Sequence, residues 1–67
     1  MKLFSVISSN IAAIGYELGI IEVHFLNGHV YHYPNCTQEL FDAFLSSPSK
    51  GKFLHQRLKG RGEYPIR

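Results

Sequence analysis

The residues best equipped for chemistry lie at the C-terminal end. Residues 50–67 carry Lys50, Lys52, Arg57, Lys59, Arg61 and Arg67 against Glu63 alone, a net charge of +5. Residues 1–49 carry Lys2 against Glu17, Glu22, Glu39 and Asp42, a net charge of −3. Positive charge segregated in this way suits a polyanionic partner, nucleic acid or a phosphate-bearing ligand. The competing reading is a solvated basic face that keeps the protein soluble. Ser49-Lys50-Gly51-Lys52 is expected at a helix start, where backbone N–H groups and two ammonium groups suit a phosphate. Arg57, Lys59 and Arg61 extend the positive surface, and Gly60 and Gly62 loosen the chain around Arg61. Such contacts grip phosphates without reading sequence, and they weaken steeply with salt.

Tyr31 and Tyr33 are the second candidate pair. Exposed on an open sheet face they would stack nucleobases; turned inward they would plug a small core with their hydroxyls at its rim. The histidines do not make a metal site. His29 and His32 lie three apart on one strand and point to opposite faces. His24 and His32 can share a face, with Glu22 as the sole third candidate. Cys36 precedes a helix, where the dipole lowers a thiol pKa. A nucleophile also requires a base and an oxyanion site, and neither is assignable, so no catalytic residue, metal or cofactor is expected.

These side chains must be positioned by a few short elements. Ile11 to Glu17 reads as a strand, Leu18-Gly19 as a turn, and Ile20 to Leu26 as a stronger strand with Ile21, Val23 and Phe25 alternating with Glu22 and His24. Asn27-Gly28 marks a hairpin and His29 to Tyr33 its return strand, which Pro34 ends. A two-residue loop would put both tyrosines beside Glu22 and His24. A three-residue loop, with Gly28 as a left-handed bulge, gathers Ile21, Val23, Phe25, Tyr31 and Tyr33 on one face and leaves Glu22, His24, Val30 and His32 on the other. Burial of one face pins register, so the bulge, and with it a core position for the tyrosines, is favoured.

Asn35 or Thr37 can cap a helix in which Leu40/Phe44 and Phe41/Leu45 form an apolar stripe. Ser46-Ser47-Pro48 stops it. Ser49 can cap a second helix, from about Lys50 to Lys59, with Phe53, Leu54 and Leu58 inward and Gly60 as its stop. Residues 63–67 read as a tail or a short extended piece packing back. The expectation is an α+β domain in β-β-β-α-α order, a three-stranded antiparallel sheet covered on one face by two short helices.

Size and composition limit what this fold can be asked to do. The chain has 67 residues, 45% of them hydrophobic and 13% aromatic. That is one small domain, too apolar for disorder and too short for a multidomain enzyme, a repeat array or a long coiled coil. Its one cysteine excludes an intramolecular disulfide, and a secreted domain this small usually has several, so a cytoplasmic location is expected. The N-terminal apolar run is too short for a signal peptide, and nothing approaches a membrane span.

Ser8-Ser9-Asn10-Ile11, Ile14-Gly15-Tyr16, the Ile21-x-Val23-x-Phe25 strand, Asn27-Gly28, Tyr31-His32-Tyr33 and Ser47-Pro48-Ser49-x-Gly51-x-Phe53 occur in that order. This array resembles the KTSC domain, a module of about this length named for its place at the C-terminus of some lysyl-tRNA synthetases and also found as free-standing bacterial and phage proteins. The resemblance covers roughly residues 8–65 of a single domain spanning 1–67. The segment Pro34-Asn35-Cys36-Thr37 departs from the apolar-Pro lead into the helix that the family shows. The synthetase context implies RNA, an associational argument. The leading expectation is therefore a non-enzymatic accessory domain that binds tRNA-like RNA. Lys50, Lys52, Arg57, Lys59 and Arg61 would contact phosphates, and Tyr31 and Tyr33 would stack if exposed. The alternatives are a protein-interaction module that docks on a host protein or self-associates, and a binder of a small phosphate-bearing ligand.

Overall fold

Two chain reversals set the sheet. The computed structural model describes all of residues 1–67. At the first reversal Leu18 and Gly19 both adopt positive φ, 51° and 81°, the conformation of a two-residue hairpin whose twist matches its flanking strands. It joins β2 (Ile11–Glu17) to β3 (Ile20–Phe25) with Glu17 opposite Ile20. At the second, the Gly28 amide donates to the Phe25 carbonyl and Gly28 sits at φ 94°. That is the three-residue loop with a glycine bulge. It pairs Ile21 with Tyr33 and Val23 with Tyr31 in β4 (Val30–Tyr33), the register that burial of one face demands.

The sheet has five strands, not three. β1 (Leu3–Ser5) pairs antiparallel with β2, and β5 (Tyr64–Pro65) pairs with β4, giving the meander order β1-β2-β3-β4-β5. β1 forms because Phe4 and Val6 alternate inward and pack on the core while Leu3 and Ser5 face out. Gly15 makes room for it. A Cβ at Gly15 would stand 2.7 Å from the Lys2 carbonyl oxygen, so only glycine admits the first strand at that distance.

Helix α1 (Gln38–Ser46) starts at Thr37, whose hydroxyl accepts from the Leu40 amide at 3.1 Å. Asn35 instead takes the left-handed conformation, φ 59°, in the loop before it. Phe41 and Phe44 are buried against Ile11, Ile14, Ile21, Val23, Tyr33 and Leu58. Each such side chain contributes about 1.5–3 kcal/mol of burial. Tyr16 stacks on Phe41 and Phe53 on Phe44, with centroids 5.8 and 5.2 Å apart.

The second helix differs from expectation in its winding. Ser49 caps one α-helical turn, α2 (Lys50–Phe53), which widens into a π-helical segment, Leu54–Leu58, closed by a bond from the Lys59 amide to the Leu54 carbonyl. Such widened turns are rare and recur at functional sites.

The outer sheet face is not the freely solvated surface that its polar residues suggest. Val30 is buried, and both of its backbone groups bond to the C-terminal Ile66–Arg67 stretch. Glu22 accepts from His24 Nε2 at 2.5 Å and from His32 Nε2 at 2.7 Å. The Tyr64 ring stands edge-on to His32. No helix is long and apolar enough to cross a membrane.

Candidate nucleic-acid interface

The basic residues divide by what their side chains already hold. Arg61 is turned inward. Its guanidinium donates to the carbonyls of Leu58, Arg57 and Asn35, at 3.2, 2.7 and 2.8 Å. These bonds satisfy carbonyls at the end of the π-helical segment and tie it to the loop before α1. Arg61 therefore holds structure, with three of its five N–H donors committed to backbone carbonyls. Lys50 donates back to the Ser47 carbonyl at the turn between the helices. Lys52, Arg57 and Lys59 are exposed. Arg57 rests over the Phe53 ring, 5.2 Å from its centroid, which leaves its outer edge to solvent.

None of these cations has a carboxylate partner. The three ion pairs of the protein join the N-terminal ammonium to Glu17, and His24 and His32 to Glu22. Glu63, the one acid in the basic segment, accepts instead from the amides of Gly60 and Arg61. Its own amide and that of Gly60 hold its carboxyl below the usual range. The charge segregation of the sequence thus survives folding as unpaired cations.

Burial decides between the two readings of the tyrosines and corrects the stacking role for Tyr33. Tyr33 is 4% exposed and belongs to the core, so its ring offers no stacking face. Tyr31 is half-buried and meets Phe25 edge-to-face, centroids 5.9 Å apart. Both line a cleft of about 530 Å³ between the sheet and the π-helical segment, together with Phe25, His29, His55 and Lys59. Asn10, Asn27, Gly51, Leu54 and Glu63 complete it. Of the predicted site residues the cleft brings together Tyr31, Tyr33 and Lys59, while Lys52 and Arg57 stay outside its lining. The remaining lining comes from four separated segments, which no local spacing pattern links.

His29 and His32 do face opposite ways, one into the cleft and the other onto the outer face. His24 and His32 both point at Glu22, one imidazole on each carboxylate oxygen. Burial pushes the Glu22 carboxyl up, but the hydrogen bonds and charges of His24 and His32 outweigh it and hold it below the usual range. Cys36 is buried and donates to the Tyr33 carbonyl, and burial raises its thiol pKa, so it packs as a small apolar residue.

No protein of curated function matches the chain. The crystal structure of a KTSC domain protein from Yersinia pestis superposes on it with a TM-score of 0.88 and 30% identity, over 98% of this chain and 97% of that one. The KTSC domain family model matches residues 7–64, an interval that runs from the Ser8-Ser9-Asn10 turn to the first residue of β5. With β2 to β4 and both helices inside that match, the chain belongs to the KTSC domain family.

Proposed function

We propose that this protein is a non-enzymatic RNA-binding module whose interface is the basic helical segment and the cleft beside it. The observation that carries the reading is the set of exposed cations, Lys52, Arg57 and Lys59, none of which has a carboxylate partner. Unpaired cations grouped in one segment of a small domain suit contact with backbone phosphates and the release of their counterions. Aromatic side chains at an adjoining cleft suit bases that have left a stack, the form in which proteins read RNA most often. The test is retention of tRNA by the purified protein at low and near-physiological salt. Lys52→Glu combined with Arg57→Glu abolishes retention and leaves the fold intact, because both side chains are exposed. Unchanged retention removes them from the interface and overturns the reading.

A second reading, self-association, has one specific support. β1 is an edge strand paired only with β2, and Leu3 on it is exposed. An unpaired edge is a template for another strand. A solution mass that rises with protein concentration in the absence of RNA favours it.

A further inference from the structure

The cleft holds more donors than phosphate contact requires. Tyr33 is almost fully buried, yet its hydroxyl makes no hydrogen bond within the protein. No sealed side-chain oxygen or nitrogen lacks a partner, so this hydroxyl opens into the cleft that Tyr33 lines. Burial, and then the charges of Glu63 and Tyr31, push its pKa up to about 12. It is an O–H donor throughout the neutral range.

Two amides of the lining have their oxygens engaged. Asn27 Oδ1 accepts from the His29 amide at 3.0 Å, and Asn10 Oδ1 accepts from the Ser8 hydroxyl at 3.0 Å. With the oxygens held, each side chain has its NH₂ group left to donate. The ammonium of Lys59 adds a fourth donor. Among these polar groups stand ring and apolar faces, Phe25 and Tyr31 on the sheet side and Leu54 and His55 on the π-helical segment. A volume of about 530 Å³ falls within the roughly 300–1,000 Å³ of small-molecule sites. Donors around flat apolar walls fit a planar ring that carries carbonyl acceptors.

We infer that the cleft between β3–β4 and the π-helical segment seats one unstacked nucleobase bearing carbonyl acceptors, as uracil and guanine do, with the Tyr33 hydroxyl and the Asn10 and Asn27 amides donating to it. This deepens the RNA reading and rests on it for the source of the base. Phosphates flanking the seated nucleotide face Lys59, and the chain continues over Arg57 and Lys52. Glu63 also lines the cleft, but its oxygens are occupied by backbone amides and the base presents no charge to them.

The test separates base from phosphate. Uridine monophosphate and ribose 5-phosphate are titrated against the labelled protein by NMR. A U-rich single-stranded hexamer and a short RNA duplex are measured in parallel. The nucleotide is expected to move the Asn10 and Asn27 side-chain amide and Tyr31 resonances, and ribose 5-phosphate to leave them in place. Tyr33→Phe removes only the hydroxyl, and Asn27→Ser keeps an acceptor for the His29 amide while replacing the reaching NH₂ group by a shorter hydroxyl. Each is expected to weaken the nucleotide and the hexamer about three- to tenfold, the worth of one neutral hydrogen bond. Duplex binding stays within twofold. Equal responses to the two small ligands, or full affinity in both variants, overturn the base site and leave RNA binding standing if hexamer and duplex still bind. A seated nucleotide with neither RNA bound keeps the base site and overturns the RNA reading. No response to any of the four probes overturns both.

Discussion

Arg61 gives the sharpest separation of structure from binding. Sequence alone puts it among the phosphate contacts, whereas its guanidinium reaches the carbonyls of Leu58, Arg57 and Asn35. Two of those carbonyls lie at the end of the π-helical segment and the third lies 26 positions back in the chain. Arg61→Ala leaves all three without this donor. The group is partly exposed, so solvent replaces some of the loss, and each bond is worth about 0.5–1 kcal/mol rather than the 1.5–3 of a buried charged bond. The sum is about 2 kcal/mol. A domain of this size unfolds in urea with a slope near the low end of the usual range, about 1 kcal/mol per molar. The midpoint of Arg61→Ala should therefore fall by about 2 M. Arg61→Lys keeps the charge but not the planar fork, and it restores about a third of the loss. Urea unfolding followed by far-UV circular dichroism measures both. An unchanged midpoint in Arg61→Ala, with weaker tRNA binding at a salt where the variant is folded, would refute the assignment and return Arg61 to the interface.

Gly15→Ala places a Cβ 2.7 Å from the Lys2 carbonyl oxygen and is expected to displace β1 and cost about 1–3 kcal/mol, seen as a lower Tm and faster amide exchange at Leu3–Ser5. Leu18 holds a positive φ while nine-tenths exposed, so Leu18→Asn relieves backbone strain at no loss of packing and should raise stability by about 0.5–1 kcal/mol in the same assay. Glu22 titrates below its unfolded value, so its contribution is complete above the unfolded carboxylate pKa and is lost as pH falls through the folded one. Glu22→Gln should accordingly flatten the loss of stability between about pH 5 and pH 3, and an identical acid profile would contradict the His24–Glu22–His32 arrangement.

The parts of the fold read most directly from the sequence are those fixed by local chemistry. The alternation of Ile21, Val23 and Phe25, with Asn27-Gly28 beside it, determined the β3–β4 register, because the wrong loop length would have exposed a whole apolar face. Thr37, Ser49 and Pro48 marked the helix limits through capping and the lost amide. What was not legible depends on distant partners. β1 is three residues long, and Phe4 and Val6 show their purpose only against Ile14 and Phe41. The π-helical widening has no residue signature in Leu54–Leu58. The role of Arg61 depended on the loop carbonyl of Asn35, and the cleft draws on residues as far apart as Asn10 and Glu63. Net charge by segment singled out the basic region, yet only the hydrogen-bond partners distinguished the exposed cations from the engaged ones.

The most direct test of the account is the salt dependence of RNA binding. Three free cations, Lys52, Arg57 and Lys59, predict a slope of log affinity against log salt of about −2 on single-stranded RNA, at about 0.7 per phosphate contact. Affinity should then fall about twentyfold between about 50 and about 200 mM salt. Each of Lys52→Ala, Arg57→Ala and Lys59→Ala should remove about 0.7 from the slope. A slope near zero, or one that none of the three substitutions changes, would contradict the claim that these cations form the interface.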